Sequence, residues 1–209
     1  MKTITLYLAV SGTTYFDQLD RFQGWSGTPL TSAGLKASQA LGRQLATVKF
    51  ETAFASDASR AEQTGRAIIA AQASPLKLQQ KTALRAPFYG GFEGFERAAV
   101  WSGFATKLGY PTIAAFEADQ TPTEIQNLIH DHDVDSLAES GNEFWQRYQT
   151  GLAEVAAATP DHGRALVIVD PVILRKLRFE ITGQPATEQQ LAPCTVTIVD
   201  KTGDKLTLR

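Results

Sequence analysis

Residues 6 to 30, LYLAVSGTTYFDQLDRFQGWSGTPL, begin as a buried strand and turn at once into a loop of small polar and aromatic residues. Thr3 to Ala9 is short, β-branched and apolar, the composition of a strand in a covered sheet. It runs into Ser11-Gly12-Thr13-Thr14, where the apolar run stops. In an α/β sheet, ligands gather outside the carboxyl ends of parallel strands, so residues 10 to 14 mark the expected position of a crevice.

The rest of the chain reads as support for that strand. Leu35, Leu41, Leu45 and Val48 recur near helical spacing after Thr31, a suitable N-cap. Glu51 to Ala55 and Leu76 to Gln80 read as short strands. Ser56-Asp57 is expected to cap the helix that carries Arg60 in its first turn. A cation there opposes the helix dipole by up to about 1 kcal/mol and so calls for an anionic partner. Ala86 to Gly91 reads as a loop, and Phe92 to Ser140 as broken helices dense in aromatics. The strongest helical pattern covers Leu137 to Ala158, with Phe144, Tyr148, Leu152 and Val155 on one stripe. Ala165 to Val169 suits a central parallel strand. The next helix spans Pro171 to Ile181, with Asp170 as N-cap and Gly183 as C-terminal stop. Cys194 to Asp200 and Lys205 to Leu208 alternate around Thr202-Gly203-Asp204 as an edge hairpin. The sum is an α/β chain whose sheet has about six strands, mostly parallel.

The 209 residues make one domain-sized unit, 1–209, with a core large enough to be continuous. A net charge of -2 and no run of Lys or Arg leave no footprint for nucleic acid or an anionic membrane. The lone Cys194 lies in an apolar alternating run and reads as a buried small hydrophobe in a reduced, cytoplasmic protein. Met1-Lys2 leads into a strand rather than a signal-peptide core, and no apolar run of membrane length is present.

Leu6-Tyr7-Leu8, Gly12-x-Thr14, Arg21-x-Gln23-Gly24-Trp25 and Pro29-Leu30-Thr31-x-x-Gly34 together resemble the opening of the histidine phosphatase superfamily, the phosphoglycerate-mutase-like proteins. Ser56-Asp57-x-x-Arg60-Ala61-x-Gln63-Thr64 resembles that family's second motif and Tyr89-Gly90-x-Phe92-Glu93-Gly94 its third, with Ala165 to Arg175 matching the segment of its last. The resemblance implies a three-layer α/β/α sandwich with a helical lid insertion at about 92–140. It also implies a pocket formed by Ser11, Gly12, Thr14, Asp17, Arg21, Gln23, Gly24, Arg60, Glu93 and Asp170.

The chain departs from the family where the chemistry should be. Val10-Ser11-Gly12 stands where the resemblance implies Arg-His-Gly with the phosphoryl-accepting histidine, and Asp170 where it implies the second histidine. Ala86 takes the place of the acid that protonates the leaving group. Of the two arginines, two histidines and glutamate of that site, only Arg60 is kept, and Asp17 replaces an asparagine. Arg60 is therefore expected to turn inward and pair with Asp170 or Asp17, occupying the phosphate subsite itself.

Two readings follow. In one the chain is a non-catalytic pseudo-phosphatase that binds a small molecule or a protein, without a cofactor; in the other Ser11, Arg60 and Asp170 form a rebuilt hydrolase. His130-Asp131-His132-Asp133-Val134-Asp135 offers metal-ligand types, yet two histidines two apart reach one ion only from an extended segment. That run reads as a solvated loop at a helix end, and no metal is assigned.

Overall fold

The computed structural model describes residues Met1–Arg209. A six-stranded sheet has the order β3-β2-β4-β1-β5-β6, built from β1 (Thr3–Val10), β2 (Thr52–Ala55), β3 (Leu78–Gln80), β4 (Arg164–Val169), β5 (Val196–Thr202) and β6 (Lys205–Leu208). The β1–β4, β2–β4 and β2–β3 pairs are parallel, and β5 and β6 close one side as an antiparallel hairpin. This is the mostly parallel α/β sandwich that the strand patterns predict.

Side-chain alternation builds the two outer layers. Ile4, Leu6, Leu8 and Val10 of β1, with Phe54, Ala165, Val167 and Val169, point to one face, where they meet Phe144, Tyr148, Leu152 and Val155 of α7 (Gly141–Ala158). Ile173, Leu174 and Leu177 of α8 (Pro171–Thr182) complete that core. The alternate residues Ala9, Ala53, Ala55, Leu166 and Ile168 face α2 (Ser32–Gln44) and α3 (Ser59–Ile69). Both faces of the central strands are thus apolar, as a covered parallel sheet requires.

Several boundaries differ from the sequence pattern. A four-residue helix, α1 (Tyr15–Gln18), follows the first loop, and α9 (Glu188–Leu191) precedes β5. The α2 helix stops at Gln44, with Leu45 at its C-cap, so Val48 packs from the following turn and Leu35 is exposed. The α7 helix begins at Gly141 because Ser140 and Glu143 form a reciprocal capping box. Ser56 and Asp57 do not cap α3: its N-cap is Ala58, which has no side chain to offer, and Asp57 is held by Arg85 at 2.7 and 2.5 Å.

Between β3 and β4 lie α4 (Arg97–Lys107), α5 (Ile113–Asp119) and α6 (Pro122–His132), packed around Phe22, Tyr89, Phe104, Phe116 and Ile129. No helix is long and apolar enough to cross a membrane. The two histidines of the 130–135 run sit on the last turn of α6. His130 Nδ1 contacts Ala138 O at 2.7 Å, and His132 lies between Leu128 O and Lys107 Nζ.

Asp133 closes that helical segment. Its carboxylate accepts from the backbone N–H groups of Gly91, Asp135, Leu137 and Ala138 at 2.8 to 3.3 Å. Burial works against its charge, but these donors outweigh burial and hold its pKa below the usual carboxylate value. A depressed folded-state pKa contributes stability that is present above the unfolded value and lost as pH falls through the folded one. Asp133→Ala is therefore expected to cost about 2 to 4 kcal/mol at neutral pH. Denaturant unfolding of both proteins as a function of pH should show this difference shrinking as the medium is acidified below the usual carboxylate range.

Candidate functional site

The register of the sheet assembles the site. Val10 of β1 pairs with Val169 of β4, so the two strands end at one level and the next residue on each is Ser11 and Asp170. The neighbouring β2 ends at Ala55 and leads into α3, whose first turn brings Arg60 across the same edge. Ser11 Oγ donates to Asp170 Oδ1 at 3.2 Å. Ser11, Arg60 and Asp170, 159 positions apart at the extreme, thus meet at one point.

Arg60 is satisfied at every side. Its Nε donates to Asp170 Oδ1 at 2.6 Å and its Nη2 to Asp170 Oδ2 at 2.8 Å, a two-pronged pair with 1% and 7% of the side chains exposed. Nη2 also donates to Gly24 O at 2.9 Å and Gln23 O at 3.3 Å, and Nη1 to Ser26 O at 3.3 Å. Burial opposes the guanidinium charge, yet Asp170 above all, with Asp17 and Glu93, raises its pKa further. The carboxylate partner is Asp170 and not Asp17. Asp17 instead receives Thr14 N and Oγ1 at 2.7 and 2.8 Å in the capping box of α1.

Asp170 has the sequence context of an N-cap, but its side chain makes no capping hydrogen bond to α8. Both of its oxygens face Arg60, and Pro171 at N1 removes one N–H that would otherwise ask for a cap. An ion pair between buried partners outweighs one local hydrogen bond to an N-terminal amide.

A cavity of about 90 Å³ opens beside this pair, lined by Ser11, Asp17, Arg21, Gln23 and Asp170 from the expected set. Gly12, Thr14, Gly24, Arg60 and Glu93 do not line it. The Gly12 N–H is spent on Thr64 Oγ1, and Thr14 is buried as the α1 cap. Glu93 accepts from the N–H groups of Gly24, Trp25, Ser26 and Tyr89 at 2.9 to 3.3 Å. The 23–26 loop is thereby gripped from both sides, its N–H groups by Glu93 and its carbonyls by Arg60. Gly24 is required there, since a Cβ would run into Pro87 O and the Glu93 carboxylate.

Ala86 and Val10 are fully buried and offer only backbone. Ala86 O accepts from Trp25 Nε1 at 3.1 Å and Arg147 Nη2 at 3.0 Å, and Trp25 stacks on Phe88 with ring centres 4.8 Å apart. The remaining lining comes from Tyr89 of the third motif, Pro171 and Val172 of the last motif segment, and Phe22, Arg97 and Pro193, which the sequence motifs did not single out. Burial, then the charge of Glu93, pushes the Tyr89 phenol well above its ordinary pKa, so it stays protonated. Arg97 adds a cation that is already paired with Asp20. The aromatic density of 88–104 hinted at Tyr89, whereas nothing in sequence marked Arg97 or Pro193.

The chain matches the profile of the histidine phosphatase superfamily (branch 1) over residues 6–209. It belongs to that family. It is 31% identical over 109 residues to 2,3-bisphosphoglycerate-dependent phosphoglycerate mutase 2 of Gloeobacter violaceus, a match that covers 52% of this chain and 48% of that relative. The chain therefore matches about half the length of that curated relative. Among solved structures, a phosphoglycerate mutase from Bacillus anthracis superposes with a TM-score of 0.89 at 25% identity, covering 100% of this chain and 92% of that one. The α-ribazole phosphatase of Shigella flexneri shares the fold at a TM-score of 0.70 and 21% identity, covering 98% of this chain and 94% of that one.

Removing Asp170 strands a buried guanidinium. Asp170→Ala is expected to cost about 3 to 5 kcal/mol, whereas Ser11→Ala, which deletes one long hydrogen bond, should cost about 1 kcal/mol or less. Urea unfolding of the two variants beside the native chain checks the order. Equal stabilities would mean that Arg60 keeps its place without its carboxylate.

Proposed function

We propose that the chain is a non-catalytic member of its family, a pseudo-phosphatase whose pocket serves binding or regulation. The observation that carries this reading is the state of Arg60, the one phosphate-ligand side chain kept from the family pattern. Its donors point at Asp170 and at three backbone carbonyls rather than into the cavity.

The positions of the histidines support the same reading. Ser11 and Asp170 stand where the family resemblance implies the two imidazoles, and the chain has three histidines in all. His130 and His132 end α6, with Nδ1 of His130 and both ring nitrogens of His132 engaged. His162 donates its N–H to Thr3 O at the start of β1. An eight-residue strand spans roughly 25 Å, so His162 lies at the far end of the sheet from Ser11. Loss of a covalent nucleophile costs on the order of a million-fold in rate. Against a typical turnover near 10 per second, that leaves about one event per day. The free Cys194 suits a reducing, cytoplasmic setting.

The rebuilt-hydrolase reading has one observation in its favour, the hydrogen bond from Ser11 Oγ to Asp170. An activated serine needs a positioned general base. Both oxygens of Asp170 are engaged by Arg60, and no second base adjoins Ser11 among the cavity residues other than Asp17, which is committed to Thr14.

An assay with a generic aryl phosphate at acidic and neutral pH, together with labelling by a phosphodonor, separates the two. The expected result is no turnover above the uncatalysed rate and no acid-labile phosphohistidine. Turnover that disappears in Ser11→Ala would establish the hydrolase instead.

A further inference from the structure

The cleft does not end at Ser11. The cavity beside Asp170 shares Phe22, Tyr89, Arg97, Pro171 and Val172 with a second lobe of about 130 Å³ under α4 and α6. That lobe shares Glu117, Pro122, Ile125 and Arg175 with a wider one of about 280 Å³ between α5 and α8. The second lobe is walled by Phe22, Tyr89 and Trp101, whose rings hold one another in place: Phe22 lies 4.9 Å from Tyr89 and 5.0 Å from Trp101. An apolar cavity of about 150 Å³ takes a benzene molecule, so this lobe has room for one ring or one branched aliphatic side chain.

The polar groups of that lobe divide into firmly committed and weakly engaged ones. Arg97 is paired with Asp20, and the Gln126 amide nitrogen donates to Phe88 O and Glu139 O. Arg175 and Glu117 differ, because each lines both the second and the third lobe and neither side chain makes a hydrogen bond. The nearest carboxylate to Arg175 is that of Glu188 at 3.8 Å, on a side chain 94% exposed. A guanidinium held only by this long, exposed ion pair and a carboxylate without a hydrogen-bond partner, unpaired with each other at the rim of an aromatic lobe, match the head of a zwitterion.

We propose that this lobe binds a free L-α-amino acid with a single-ring or branched aliphatic side chain. The carboxylate would meet Arg175, the ammonium Glu117, and the side chain the walls formed by Phe22, Tyr89 and Trp101. The inference rests on the binding-protein reading above and gives it a net-neutral ligand. Guanidinium recognition of a carboxylate is two-pronged and directional, whereas the ring contacts select by size and shape. Neither anchor alone is enough, because association must first offset lost translational freedom.

Calorimetric titration of the full chain with L-phenylalanine tests this, with 3-phenylpropionate and phenethylamine as probes lacking one head group each. The expected dissociation constant is about 1 mM or lower, with each truncated probe binding at least about tenfold more weakly. Arg175→Ala and Glu117→Gln should each weaken phenylalanine binding by about tenfold or more while leaving thermal unfolding unchanged, since both side chains reach solvent. The proposal is overturned if phenylalanine fails to bind at about 10 mM, if both substitutions leave its binding unchanged, or if 3-phenylpropionate binds as tightly. Inorganic phosphate titrated in parallel separates the two levels of the account. Tight phosphate binding sinks the pseudo-phosphatase reading, whereas failure of both phosphate and phenylalanine to bind sinks only the amino-acid inference.

Discussion

Arg60 reaches across the carboxyl edge of the sheet to Asp170, and both ends of that contact are buried. A guanidinium withdrawn from water costs several kcal/mol unless its charge and its donors are met. Here both are met, the charge by Asp170 and the donors by the carbonyls of Gln23, Gly24 and Ser26. The same contacts tie three separate segments together: the helix after β2, the loop after β1 and the end of β4. On the proposed reading, these contacts occupy the space that a phosphate ester would take in the family pattern.

On the proposed reading, the Asp170 carboxylate stands in for an anionic ligand of the scaffold. The family pattern gathers positive charge that a bound anion neutralises. In this chain the charge of Arg60 is met by the chain's own Asp170. Glu93, kept from the third motif, has a structural task of the same kind, because it collects the N–H groups of the loop whose carbonyls Arg60 holds.

Much of the fold was legible in the sequence because its signals are local. The apolar runs at 3–9 and 165–169 and the α7 stripe are each local patterns, and the order of motifs fixed which strand ends would be neighbours. What the local pattern left open or misread involved partners far apart in the chain. The pairing of Arg60 with Asp170 was expected from the motifs, but the N-cap signature of Asp170 before Pro171 is the same whether its side chain turns toward the helix or toward Arg60, 110 positions away. Asp57 was lost to Arg85 for the same reason. The cleft beyond the site draws on residues 22, 89, 97, 101, 117, 171, 172 and 175 among others. Tyr89 and the 171–175 stretch fall in separate motifs and the others in none, so only the packing of α4 to α6 over the sheet brings these residues together.

The claim on which the account stands is that Arg60 is unavailable to an anion. Calorimetric titration with inorganic phosphate near neutral pH, on the native chain and on an Asp17→Asn, Asp170→His variant, tests it most directly. The account predicts no heat of binding for the native chain up to about 10 mM phosphate, and measurable binding once the two carboxylates are gone. Micromolar binding to the native chain, or a crystal with phosphate seated between Ser11 and Arg60, would contradict it.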